Sequence, residues 1–271
     1  MTLATSTGSR NGLNRVPRVT VDFWMIKLMA VTMGETAADY LAVNLGLGLT
    51  VTSLIMAALL IVGIVIQFRQ KCYIPWSYWL AVVLISIVGT LVTDNLVDNF
   101  GVALQTTSIV FSILLAITFY WWWKSEGTLS IHSISTDKRE IFYWLAILFT
   151  FALGTAVGDL VAEVFGLGYV TTGVIFGAII AAITIAYYLF SLNAILAFWL
   201  AYILTRPLGA SFGDYLSQPM EYGGLGLGTI YTSLIFLAVI VLIVVYMTIR
   251  FKPETTEPET TIEAEARVPL R

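Results

Sequence analysis

One short motif occurs four times in this chain, and it constrains the fold more than any other feature. An aromatic residue and a Trp are followed, ten residues after the Trp, by Gly and, five residues later, by Asp. The copies are Phe23-Trp24 with Gly34 and Asp39, Tyr78-Trp79 with Gly89 and Asp94, Tyr143-Trp144 with Gly154 and Asp159, and Phe198-Trp199 with Gly209 and Asp214. Each copy lies in an apolar stretch long enough to cross a bilayer. Four acids therefore recur at one depth, in a medium where ionisable side chains are costly and mark function. A self-repeat of this kind decides the architecture before any local reading does.

Composition excludes a soluble domain: 58% of the residues are hydrophobic and 11% charged, against about 25% charged in soluble domains. The first eighteen residues are polar and basic, with Arg10, Arg15 and Arg18, and lack the apolar core of a signal peptide. Cys72 is the single cysteine, so no intrachain disulfide or thiolate cluster forms. The lone His132 sits in a polar segment that reads as a solvated loop.

Each unit holds two apolar spans near the roughly 20 residues a bilayer crossing needs. The expected pairs are Trp24 to Leu41 with Thr50 to Phe68, Tyr78 to Val97 with Gln105 to Trp122, Tyr143 to Ala162 with Tyr169 to Phe190, and Phe198 to Leu216 with Leu227 to Arg250. The break between spans repeats as well. Gly46, Gly101 and Gly166 lie seven residues after the Asp, and Thr52, Thr107 and Thr172 thirteen after it. Removing five residues around Gln218 to Tyr222 brings Gly226 and Thr232 into the same register. These positions read as turn and cap chemistry.

The intervals between successive motif Asp residues are 55, 65 and 55, so the chain reads as two halves of two units. The expected fold is all-α: a polytopic membrane protein of eight transmembrane helices from four parallel two-helix repeats. The boundaries are a disordered cytoplasmic arm (1–18), units at 19–70, 71–124, 138–190 and 191–252, a cytoplasmic loop at 125–137, and a disordered acidic tail at 253–271. Thirteen of the 14 Lys and Arg fall in the arm, at Lys27 near a helix start, in loops joining units, or in the C-terminal segment. The positive-inside rule then places both termini in the cytoplasm. Trp24, Trp79, Trp144 and Trp199 become anchors at the inner interface, with each Asp roughly 22 Å above its Trp.

The motif acids have company. Glu35 lies four before Asp39, Asp98 four after Asp94 and Glu163 four after Asp159, so each pair shares a helix face. Asn95 and Asn99 add oxygen ligands beside Asp94 and Asp98. Clustered carboxylates share protons or a cation. Oxygen-only sites suit hard divalent ions such as manganese, magnesium or calcium. The expected metal ligands are Asp39, Asp94, Asp159 and Asp214, in one central cavity with Glu35 beside it. The same acids could instead bond the broken backbone or meet interfacial water. The motif Gly residues Gly34, Gly89, Gly154 and Gly209 could serve close packing alone.

Arg206 is the one basic residue placed deep in a span, where its counterparts are Val31, Ser86 and Phe151. A buried Arg needs an anion. A structural ion pair and a counter-ion competing with a transported cation both fit. Pro207 beside it removes a helix hydrogen bond.

The tandem units, with GETAADYLA, GTLVTDNL, GTAVGDL and TRPLGASFGDYL, resemble a family of bacterial integral membrane proteins built from this fourfold repeat with its recurring Trp, whose function is largely unknown. The resemblance spans about residues 20 to 250 and implies the fold and a bacterial inner-membrane location, but no activity. The residues themselves point to a transporter of a cation, a divalent metal such as manganese, moved outward and coupled to protons. The implied partners are the lipid bilayer and a metal cation or protons, with no nucleic acid and no resident cofactor. No nucleophile, metal-protease or nucleotide motif occurs, so an enzyme is not expected. A carrier of a small organic cation and a membrane scaffold or sensor are the alternative readings.

Overall fold

The computed structural model describes residues 14–250, so most of the arm and all of the tail expected to be disordered lie outside it. Asn14 to Arg18, assigned to that arm, are ordered: Tyr73 donates its backbone N–H to Asn14, and Arg15 donates its own to Ile134. The Arg15 guanidinium pairs with Asp137 at 2.5 Å and with the buried Glu140 at 2.7 Å.

Eight α-helices form among the described residues: α1 (Val21–Asp39), α2 (Leu49–Phe68), α3 (Pro75–Asp94), α4 (Leu104–Glu126), α5 (Asp137–Asp159), α6 (Gly168–Phe190), α7 (Ala194–Ser217) and α8 (Thr229–Arg250). Seven are long and apolar enough to cross a membrane. The exception is α1, whose polar residues include Asp22, Lys27, Glu35 and Asp39.

In units one to three the first helix continues past the motif Asp as a widened turn, Tyr40–Asn44, Asn95–Asn99 and Leu160–Val164. There the backbone bonds span five residues, as in Leu45 N–H to Tyr40, Phe100 N–H to Asn95 and Phe165 N–H to Leu160. A glycine with positive φ then reverses the chain: Gly46 at 70°, Gly101 at 67° and Gly166 at 67°. Only Gly takes this conformation without strain. Unit four has no widened turn. Its inserted residues contain a short 3-10 turn at Met220–Tyr222, and the register resumes at Gly226, φ 72°. Thr52, Thr107, Thr172 and Thr232 are not caps, however. They are buried inside the helices, and Thr107 and Thr232 return their hydroxyls to the carbonyls of Ala103 and Gly228, four residues back.

The odd-numbered helices form a closed inner ring, α1 on α3, α3 on α5, α5 on α7 and α7 on α1. Each even-numbered helix packs on the first helix of the next unit: α2 on α3, α4 on α5, α6 on α7, and α8 back on α1. A single unit therefore covers little of its own core, and closure needs the whole cycle.

The motif glycines are the points of closest approach in the ring. A Cβ on Gly34 would collide with Ser86, on Gly89 with Phe151, on Gly154 with Arg206 and on Gly209 with Val31. Each partner lies three residues before the next unit's glycine, so one contact repeats around the cycle. The strict repeat of Gly is thus explained by packing between helices. Thr32 and Thr93 add hydroxyl bonds across the ring to the carbonyls of Gly209 and Ala152, at 3.1 and 2.9 Å.

The even-numbered helices present the apolar surface. Only 6% of the α6 span is buried, against 61% of the α5 span. The recurring Trp residues are core rather than anchors: Trp79, Trp144 and Trp199 are 1%, 5% and 4% exposed, and Trp24 is half-buried. Their rings interlock with Phe23, Tyr78, Tyr143, Phe198 and Tyr202. The exposed aromatics that suit an interface belt sit at the ends of the outer helices, at Tyr120, Trp121, Trp123, Tyr188, Phe190 and Tyr246. Lys124 and Arg250 lie over Trp121 and Tyr246 there.

Candidate functional site

Every fourth residue of each inner helix, counted back from the motif Asp, lies in the ring's interior. The columns are Phe23, Lys27, Val31, Glu35 and Asp39; Tyr78, Val82, Ser86, Thr90 and Asp94; Tyr143, Ile147, Phe151, Thr155 and Asp159; and Phe198, Tyr202, Arg206, Ala210 and Asp214. Residues four apart form one ridge of a helix surface. All but Asp39, Asp94 and Asp159 are buried. The result is a stack of layers along one axis, aromatic at the Trp-bearing end and acidic at the other.

Divergence between units places one Lys, Arg or Glu in each middle layer. Arg206 fills the axis. One nitrogen, Nη2, donates to Glu35 Oε2 at 2.7 Å, to Thr155 Oγ1 at 2.7 Å and to Thr90 Oγ1. Those partners belong to the other three inner helices, and each directly follows a motif glycine. The fourth such position is Ala210, too short to obstruct the guanidinium. Glu35 also accepts from the Thr90 hydroxyl at 3.2 Å. Arg206 Nε and Nη1 carry no bond, while the Phe151 ring centre lies 5.6 Å from its Cζ. Of the two roles open to Arg206, the ion pair is therefore present, and its partner is Glu35 rather than a motif Asp.

Above this layer, Glu35, Asp159 and Asp214 bring one carboxylate oxygen each within 4.8 Å of one another. That is an acidic cluster able to coordinate a cation, from hard oxygen donors only. It brings together two of the four Asp residues expected as ligands, with Glu35 as the third member. Asp39 and Asp94 lie outside the trio, though Glu35 and Asp159 act electrostatically on Asp94, and Glu35 on Asp39. Asp39 Oδ2 is instead approached by Gln218 Nε2 at 3.5 Å, from the unit-four insertion. The cyclic symmetry is thereby broken where the site forms.

The outer candidates divide. Asp98 and Glu163 are exposed and flank the mouth of the acidic end. Asn95 and Asn99 serve structure: the Asn95 amide donates to Ser53 Oγ, Leu91 O and Leu49 O, and Asn99 donates to Asn95 and Thr50. They tie the widened turn to α2, so they are not ligands of the cluster.

Lys27 is the residue that sequence reasoning missed. It is 1% exposed, so it belongs to the axis and not to a helix start at the interface. Its signal was the same spacing of four that separates it from Val31 and Glu35. An aromatic-lined cavity of about 680 Å³ opens at the opposite, Trp-bearing end beside Trp24, Phe198 and Tyr187. No carboxylate lines it among the described residues. The aromatic surface and acids that an organic-cation site would combine therefore sit apart.

The fold and the site define a class: an all-α bundle of four two-helix repeats, bearing candidate membrane spans, whose buried axis ends in an acidic cluster able to coordinate a cation. The chain belongs to the family described as Repeat of Unknown Function (DUF347), which matches four times, at residues 23–73, 77–128, 142–192 and 197–252. No curated protein and no solved structure matches it.

Proposed function

We propose that the protein is a transporter of a divalent metal cation in the bacterial cytoplasmic membrane, with manganese efflux as the specific activity. The observation that carries this reading is the trio Glu35, Asp159 and Asp214, three converging carboxylates at one end of a buried axis. Such an oxygen-only set favours manganese, magnesium or calcium over zinc or copper. All eight helices cross the bilayer in this reading. α1 is included because Lys27 and Glu35 are shielded inside the ring. The basic loops place the Trp-bearing end and both termini in the cytoplasm, and the acidic cluster toward the outer face.

Arg206 acts here as a tethered cation. It neutralises Glu35 while the site is empty, and an arriving divalent ion competes with it for that carboxylate. The inner helices carry the chemistry, and their glycine contacts give the close, low-friction approach along which one half can rock against the other. The test is manganese flux into proteoliposomes. Glu35→Gln, Asp159→Asn and Asp214→Asn should each lower it at least about tenfold, the factor for losing roughly 1.4 kcal/mol. The exposed Asp98→Asn and Glu163→Gln should leave it within about twofold. Equal flux in all five variants, or none in the parent protein, overturns the proposal.

A further inference from the structure

Two layers below the acidic trio the axis holds a second buried cation that the cluster does not use. Lys27 Nζ donates to the carbonyl oxygen of Tyr202 at 2.8 Å and lies 4.0 Å from the Tyr202 ring centre and 5.8 Å from that of Phe151. Among the described residues no carboxylate pairs with it. An ammonium carries three donors, and one buried without an anion is unstable relative to the neutral amine unless the surroundings compensate it.

The groups around it are few. From α7 they are Tyr202 and Arg206, the latter being the charge that acts on the amine. From α3 and α5 they are Tyr78 and Tyr143, one layer toward the Trp-bearing end, whose hydroxyls are bonded to each other at 2.6 Å. The titratable side chains of α8, Tyr231, Tyr246 and Arg250, are exposed and turned away. Lys27 thus stands between a hydroxyl pair leading toward one face and an ion pair leading to the cation cluster. The centre of the Phe151 ring lies 5.8 Å from Lys27 Nζ and 5.6 Å from Arg206 Cζ.

We propose that Lys27 holds the proton exchanged for the transported cation. This inference rests on the transport reading and deepens it. When a divalent ion enters the trio, an Nζ–H bond of the ammonium breaks and its electron pair stays on nitrogen. The proton leaves toward the Trp-bearing end, the side on which the buried Tyr78–Tyr143 hydroxyl pair lies. The neutral amine keeps its bond to the Tyr202 carbonyl. When the ion leaves for the outer face, the amine regains a proton from that face by way of the vacated carboxylates. The coupling is electrostatic: Lys27 and Glu35 are eight residues apart on one helix, about 12 Å. A divalent charge at that distance shifts a proton equilibrium roughly a hundredfold at an effective dielectric constant near 20.

The test counts protons released when manganese ion alone is added to the purified full-length protein in weakly buffered detergent with a pH indicator. The parent protein should release about one proton more per ion bound than Lys27→Met, which removes the amine, or Lys27→Arg, which keeps a fixed charge. Equal release in all three overturns the inference. Should Lys27→Met fail to fold, Lys27→Arg decides alone. A parent protein that binds no manganese defeats the transport reading instead. The Lys27 arm is then read from the ¹⁵N signal of its Nζ in metal-free protein, which should change protonation within the pH range where the protein stays folded. An amine whose charge stays constant across that range overturns the inference by itself.

Discussion

Arg206 shows how much one residue's chemistry depends on neighbours the chain brings from afar. Its partner Glu35 lies 171 residues away, and Thr90 and Thr155 come from two further units. A buried ion pair is weak evidence for stability, because removing both charges costs little while removing one leaves the other stranded. Arg206→Met should therefore destabilise the protein by about 3–5 kcal/mol. Pairing it with Glu35→Met should recover most of that loss in a thermal or denaturant melt while leaving manganese flux abolished. A double variant as unstable as the single one would show that the pair is held for structure, not for the site. The oddity of Arg206 was legible, since its counterparts are Val31, Ser86 and Phe151. Its partner was not, because four inner helices meet only in the folded ring.

At the scale of the helix, the motif glycines set the distance between neighbours. A Cβ on Gly89 would lie 2.6 Å from the Phe151 Cβ. Gly89→Ala should cost about 1–3 kcal/mol through overpacking. Gly177 on α6 is the internal control, for its Cβ would meet nothing nearer than 3.9 Å. Gly177→Ala should be neutral or stabilising by about 0.5–1 kcal/mol, the usual gain of Ala over Gly in a helix. Melting temperatures of the two variants check both signs.

The same scale explains the ordered arm. Arg15 satisfies Glu140, whose other oxygen accepts from Gln67 at 3.1 Å and from Trp144 at 3.2 Å. Gln67 in turn accepts from Ser77 at 2.8 Å, so one network ties the arm to α2, α3 and α5. Arg15→Ala should lower the melting temperature measurably, and Glu140→Gln on that background should restore part of the loss.

The whole molecule is a cycle. Each outer helix covers the inner helix of the next unit, and α8 returns to α1. Residue 14 bonds the loop residues Tyr73 and Ile134, and α8 ends at the same face. Ends of the described fold that lie on one face can be joined by a linker in a circular permutant. A permutant opened between Gln70 and Lys71, with the original ends joined by a flexible linker, should be monodisperse and show the proposed manganese flux at the parent protein's level. A chain ending before α8 should aggregate, since it leaves α1 uncovered on that side. Size-exclusion profiles of the two variants, with flux for the permutant, decide the matter.

What the sequence by itself determined was whatever repeats locally. The two-helix unit, the turn glycines, the register after the unit-four insertion and the depth of the acids all follow from spacing and hydropathy, which act within about twenty residues. Tertiary structure decided which repeated residues are equivalent in role. Glycine and Trp recur because every interface of the cycle is the same contact, so they became packing. The acids recur too, yet only Asp159 and Asp214 join Glu35, because Arg206, Ala210 and the Gln218 contact with Asp39 break the symmetry on the axis. Lys27 was hidden for the same reason. A charge seven residues into a helix reads as interfacial until three other helices close over it, and burial is a property of that closure rather than of the segment.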